Sequence, residues 1–204
     1  MTLTPEHFER PLCIFVRSLQ CPQSAGSNAP NCNFQYDYPE TNGLFRPISG
    51  DALFRLLPPS VPVVILVHGS FVDFEEEPEL LKTFEWIREG HPDEPLLVLC
   101  YRWPSTAGCK VLLGSFAVCE LAHRAEFNGF YLAQLINRVP AENPVRLIGH
   151  SHGCRMISSG LHLLSGGEVD DMRLHPNAWS NRGMRAIFFS AAMDHDWLNP
   201  GRCY

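Results

Sequence analysis

The sequence predicts an α/β domain: a mainly parallel sheet with helices on both faces. Three observations carry that expectation. Residues 63–67, 96–100 and 186–189 are continuous apolar runs, the pattern of strands buried on both faces. Segments with apolar residues at helical spacing lie between such runs, as parallel crossovers require. The stretch from Pro144 to Ile157 reads as strand, sharp turn and helix, with Gly149 and Gly153 bracketing Ser151. At 204 residues, 45% hydrophobic and 19% charged, the chain suits a single domain (1–204) with a continuous core, loop-rich strands filling 1–58 and the core elements 59–204.

Leu12 to Val16 is a compact β-type run, and the Pro, Gly, Ser and Asn residues of 22–30 then forbid regular structure. Phe34 to Tyr38 alternates large and polar residues as a half-exposed strand does, and Leu53 to Leu57 fits a short helix or turn. Pro62 is tolerated only at the start of the strand over 61–67, which ends in His68-Gly69. The acidic residues of 73–79 lead into a stripe of Leu80, Leu81, Phe84 and Ile87; such carboxylates suit a helix N-terminus, and Gly90 suits its end.

The next strand begins at Pro95 and is terminated by Pro104. Because parallel strands finish at one edge of the sheet, His68, Trp103 and Ser151 are expected on a common rim. There His68 and Trp103 are candidate pocket residues, although Trp103 reads equally well as core. A helix is expected over 120–139, weakened at Asn128-Gly129, followed by the strand leading to Ser151. Residues 165–181 form a polar connection, and Arg185 to Asp196 reads as a further buried strand ending in two acids.

Gly149-His150-Ser151-His152-Gly153 fits the nucleophile-elbow pattern, in which the serine occupies a strained turn and a Cβ two residues away on either side would collide with neighbouring elements. Met156, Ile157, Leu161 and Leu164 then recur at helical spacing. A helix starting at the serine would aim its first amides at negative charge developing there.

The formal charge of −6 and the lack of a Lys/Arg cluster argue against nucleic acid or an anionic membrane surface as partner, which favours small or neutral ones. No apolar run approaches the ~18 residues of a membrane span. The first twenty residues lack the apolar stretch of ~7 to 15 residues that a signal peptide needs, so a cytoplasmic protein is expected. Among the eight cysteines, Cys100 and Cys154 lie in apolar elements and read as thiols. Cys13, Cys21 and Cys32 sit near the loop-rich stretch, where they could pair or hold a metal, but no C-x-x-C spacing supports zinc. His150-x-His152 is half a metal motif at most, so neither metal nor cofactor is expected.

With these parts assembled the chain resembles the α/β-hydrolase superfamily, and within it a bacterial group of lipase-like hydrolases of unknown function. The resemblance spans roughly residues 12 to 200. It rests on Phe15-Val16-Arg17-Ser18 with Cys21-Pro22, on His68-Gly69, on Trp103-Pro104-Ser105 and on the elbow, the Trp-Pro-Ser being the most specific. It implies a serine hydrolase of esters, thioesters or related acyl bonds, with a small-molecule acyl substrate. Ser151 would be the nucleophile, the backbone amides of Ser70 (or Phe71) and His152 the oxyanion hole, and Asp194 the acid, with Asp196 as its alternative.

The order Ser, Asp, His leaves only His195 after Asp194, too close along the backbone to be oriented by that acid and also reach Ser151. A chain two strands short of a full hydrolase sheet is therefore expected, with the catalytic histidine beyond Tyr204 and an exposed sheet edge inviting self-association. An acyltransferase would use the same residues. A binding scaffold that keeps the elbow without its base is the rival reading.

Overall fold

The computed structural model describes residues 3–21, 32–40, 43–72, 77–106, 114–178, 182–194 and 197. A short 3-10 turn, Pro5–Phe8, precedes β1 (Pro11–Arg17), β2 (Gln35–Pro39), β3 (Phe45–Ile48) and α1 (Gly50–Leu56). There follow β4 (Val63–Val67), α2 (Glu77–Gly90), β5 (Leu96–Arg102), α3 (Gly114–Arg138), β6 (Val145–His150) and α4 (His152–Leu164). A two-residue-per-strand hairpin, β7 (Glu168–Val169) and β8 (Met172–Arg173), a second 3-10 turn and β9 (Met184–Phe189) complete the described elements.

Seven strands form one sheet in the order β3-β2-β1-β5-β4-β6-β9. The five from β1 to β9 are parallel, while β2 and β3 run antiparallel at one edge. Alternate side chains of the strands feed two cores. Ile14, Ile65, Leu99 and Leu147 pack with α1, α3 and α4 on one face. Phe15, Leu66, Val98 and Cys100 pack with Leu80 and Phe84 of α2 on the other. Helices thus cover both faces, which is why β4 and β5 are buried along their whole length.

Strand order reverses at β4, because β5 follows it on one side and β6 pairs with it on the other. The helices that leave β4 and β6 therefore lie on opposite faces, and a crevice opens between the carboxyl ends of those two strands, the usual ligand position in such sheets. Register places Val67 opposite both Tyr101 and Gly149, so His68, Trp103 and Ser151 do share one rim.

Several expectations need correction. The last strand stops at Phe189 and is not buried: among the described residues it pairs with β6 alone, leaving Ile187 52% and Phe189 55% exposed. Asn128-Gly129 does not weaken α3, since the glycine lets α4 approach; a Cβ there would lie 2.4 Å from Ser159 Oγ. Within the helix, Asn128 Nδ2 donates back to the Arg124 carbonyl one turn earlier at 2.9 Å. The polar connection contains the β7–β8 hairpin, turned by Asp170 and Asp171 at φ 50° and 59°. Of the uses left open for Cys21 and Cys32, pairing is the one present, as a disulfide; Cys100 and Cys154 are free as expected, and so are Cys13 and Cys119. No helix among the described residues is long and apolar enough to cross a membrane.

Candidate active site

Ser151 occupies the junction of β6 and α4 with φ 52° and ψ −123°, a conformation costly for any residue with a Cβ. Backbone bonds hold it there: its amide donates to the Phe189 carbonyl at 3.0 Å, and its carbonyl accepts from Cys154 at 3.0 Å and Ala192 at 3.2 Å. Gly153 makes the turn feasible, because a Cβ on it would stand 2.3 Å from the Val67 carbonyl oxygen and 2.8 Å from that of His68. The first turn of α4 thereby rests directly on the end of β4. Among the described residues the Ser151 hydroxyl has no hydrogen-bond partner, and it stands at the positive end of a thirteen-residue helix.

Gly69 meets the elbow from the β4 side; a Cβ on it would lie 2.9 Å from Ser151 Cβ. The loop after it is held by the Trp-Pro-Ser segment. Phe71, at φ 65°, donates its amide to the Ser105 carbonyl at 2.7 Å, Ser105 Oγ donates to the Val72 carbonyl at 2.9 Å, and Trp103 Nε1 donates to the His68 carbonyl at 3.0 Å. Arg124 of α3 braces the segment from behind, donating to the carbonyls of Pro104 and Thr106 at 3.0 Å each. Of the two alternatives expected for the loop's oxyanion donor, Ser70 and Phe71, the Phe71 amide is already committed to Ser105. The His152 amide, first in α4, is among those a helix cannot satisfy internally.

A contact that sequence did not reveal joins these two residues. Ser70 Oγ and His152 Nδ1 lie 2.5 Å apart, tying the loop after β4 to the start of α4 through side chains as well as backbone. Burial, and secondarily the Arg155 guanidinium, push the His152 pKa down, so its ring is neutral at pH 7.

His68 is also neutral. Burial, with Arg102 adding to it, lowers its pKa to about 3. Its Nδ1 donates to the Gly69 carbonyl at 2.7 Å and its Nε2 accepts from the Trp103 amide at 3.4 Å, which uses both nitrogens. It positions the rim and has no free nitrogen to act as a base. Trp103 is 1% exposed and stacks on His68 with ring centroids 5.8 Å apart, so it is core and not the pocket wall that sequence allowed. His68 does line a cavity, of about 220 Å³, between the sheet and α2.

Asp194 lies beyond the end of β9 with its side chain exposed. Its segment is drawn to the elbow by the Ala192 bond to Ser151 and by Arg155, whose Nε donates to the Ala192 carbonyl at 2.9 Å. Arg155 also pairs with Glu126 and sits 4.3 Å over the Trp197 ring. Asp196 and His195 fall outside the described residues. Of the histidines beside the nucleophile, His150 is exposed at the end of β6 and His152 is bonded to Ser70, so neither is aligned with the serine hydroxyl. Among the described residues no group of three or more His, Cys, Asp or Glu side chains is arranged to hold a metal ion.

The chain matches no family model, no curated protein and no solved structure. A functional reading therefore rests on the rim itself: a strained serine at a helix N-terminus, a loop after β4 bonded to that helix start through Ser70 and His152, and a segment bearing Asp194 tied to the serine carbonyl.

Proposed function

We propose that the chain is a serine hydrolase of the α/β-hydrolase superfamily acting on an ester, thioester or related acyl bond. The observation that carries the reading is the Ser151 backbone, φ 52° and ψ −123°, at the switch point of a parallel sheet. A non-glycine residue is kept in such a conformation where its position is used, because the strain is offset only by surrounding structure. Ser151 Oγ attacks the substrate carbonyl carbon, and the oxyanion that forms accepts hydrogen bonds from the amides of Ser70 and His152. The serine proton passes to a histidine oriented by Asp194 and from it to the leaving group, and water then hydrolyses the acyl-enzyme by the reverse path. That histidine must come from outside the described residues, since none of the described ones is aligned with Ser151.

The test is labelling by a fluorophosphonate, with intact-mass detection. The expected result is one adduct per chain on Ser151, absent in Ser151→Ala. A folded protein that acquires no adduct, and no turnover of p-nitrophenyl esters, would instead favour a binding scaffold that retains the elbow.

A further inference from the structure

The two halves of the rim are anchored on opposite flanks of the crevice. The loop after β4 is tied to the β5 side: Trp103 Nε1 donates to the His68 carbonyl at 3.0 Å, the Phe71 amide to the Ser105 carbonyl at 2.7 Å and Ser105 Oγ to the Val72 carbonyl at 2.9 Å. The elbow is tied to the β9 side: the Ser151 amide donates to the Phe189 carbonyl at 3.0 Å, the Ala192 amide to the Ser151 carbonyl at 3.2 Å and Arg155 Nε to the Ala192 carbonyl at 2.9 Å.

Packing decides how closely these halves approach. A Cβ on Gly69 would fall 2.9 Å from Ser151 Cβ, and one on Gly153 would fall 2.3 Å from the Val67 carbonyl oxygen, so both glycines already let the chain segments touch. Repulsion of this kind stops the gap from closing but not from opening. The bond between Ser70 Oγ and His152 Nδ1, at 2.5 Å, opposes opening. Resting on the reading of Ser151 as nucleophile with the Ser70 and His152 amides as oxyanion donors, we infer that the His152 side chain is a positioning residue, which through Ser70 Oγ fixes the width of the gap that the acyl oxygen enters.

The chemistry of the pair suits that role. His152 is 6% exposed and Ser70 is half-buried, so water has little access to replace the bond, and losing it leaves a buried ring nitrogen unpaired. Burial, and secondarily Arg155, keep the ring neutral. A neutral imidazole has one donating and one accepting nitrogen, and a hydroxyl answers either, so Nδ1 holds Ser70 in both tautomers. One residue thus serves twice, its amide as an oxyanion donor and its ring as the tie to the loop that bears the other donor.

An ångström of misplacement typically costs about 100-fold in rate, and loss of one tie among several displaces the loop by less, so about 10- to 30-fold is expected here. The oxyanion exists only on the way through the reaction, so the loss falls on kcat and leaves KM within about threefold.

The experiment uses the full chain, with p-nitrophenyl butyrate turnover and the second-order rate of fluorophosphonate labelling on Ser151 as parallel readouts. Ser70→Ala and His152→Leu each remove the bond, the leucine filling the place of the ring without a polar atom. Each should lower kcat and the labelling rate by about 10- to 30-fold. The double variant should lose little more than the worse single one, because two residues sharing one bond are not additive. Ser70→Thr keeps the hydroxyl, and His152→Asn puts an amide atom on Cγ where Nδ1 stands; each should recover most of the loss. A purely structural role would lower Tm while leaving kcat, read well below the melt, where it was. Thermal melts identify a variant that fails to fold, and Ser70→Ala against Ser70→Thr, at a half-buried loop position, decides without the His152 variants.

Losses that multiply in the double variant, a change in KM instead of kcat, or wild-type rates in a folded Ser70→Ala protein would overturn the positioning role while adducts on Ser151 left the nucleophile in place. If Ser151 of the wild-type chain takes no fluorophosphonate and no ester turns over, the nucleophile and the positioning role fall together.

Discussion

Gly153→Ala probes the contact on which the whole rim depends. The new methyl carbon would stand 2.3 Å from the Val67 carbonyl oxygen and 2.8 Å from the His68 carbonyl oxygen. Both are backbone atoms of a strand end buried in the sheet, so no rotamer change relieves the clash, and α4 has to back away by about an ångström. Overpacking of this kind costs about 3 kcal/mol, at the upper end of the usual range, because the neighbour cannot yield. Alanine returns about 1 kcal/mol through its better helix propensity. The net loss is about 2 kcal/mol, which for a domain of this size lowers Tm by roughly 4–8 °C. The same retreat carries Ser151 and the His152 amide away from Ser70, and an ångström of misplacement typically costs about 100-fold in rate. Thermal unfolding followed by circular dichroism, with the rate of fluorophosphonate labelling alongside, measures both. Gly90→Ala is the control: it ends α2 with nothing within 4 Å of an added Cβ, and it should be neutral or slightly stabilising. A Gly153→Ala protein that melts at the wild-type temperature would mean that α4 does not rest on β4 as described.

Ser151→Gly should raise Tm by roughly 2–4 °C, since about 2 kcal/mol of backbone strain is relieved and about 1 kcal/mol is lost to the freer unfolded chain. Ser151→Ala, which keeps the strain, should leave Tm nearly unchanged, and equal behaviour of the two variants would speak against strain at this turn. His68 makes the fold acid-sensitive. Its folded pKa of about 3 lies below the unfolded value near 6.5, so its contribution is complete above pH 6.5 and is lost as pH falls toward 3. Denaturant unfolding should show about 2 kcal/mol lost between pH 7.5 and pH 5, and His68→Phe should remove that part of the slope even while lowering stability at pH 7.5. Parallel pH curves for the two proteins would contradict a buried, neutral His68.

What could be read from sequence is what lies in the parallel centre of the sheet. Runs such as Val63 to Val67 and Leu96 to Cys100 have one physical use, a strand covered on both faces, and their common direction puts His68, Trp103 and Ser151 on one rim. The edges were harder. Pro47 disguised β3, since proline is admissible only where a strand lacks a partner on its amide side. Phe188 and Phe189 made β9 look buried, because an apolar run states nothing about how many neighbours it has. Asp170-Asp171 forms a tight hairpin turn without the glycine that usually announces one. At the site, the strained turn at Ser151 and the helix start at His152 followed from the elbow pattern. The side-chain contacts that hold them, Ser70 to His152 and Arg124 to Pro104, span 82 and 20 residues and have no local signature.

The cysteines separate two kinds of constraint. Cys13 and Cys100 touch at 3.6 Å on adjacent strands, yet register sets Cys13 opposite Val98 and Phe15 opposite Cys100. Two residues out of step on parallel strands puts their Cα atoms about 8 Å apart, beyond the ~7 Å that a disulfide spans. Register, not compartment, keeps this pair reduced. Cys21 and Cys32 are joined across a separation of 11 residues, and cross-links of this kind persist in oxidising surroundings. That weighs against the cytoplasmic expectation drawn from the first twenty residues. A loop of this length adds about 3 kcal/mol through the unfolded chain. It follows β1, three strands from β6 in the sheet, so its redox state acts on stability at the far side of the rim and leaves the Ser70, Ser151 and His152 contacts intact.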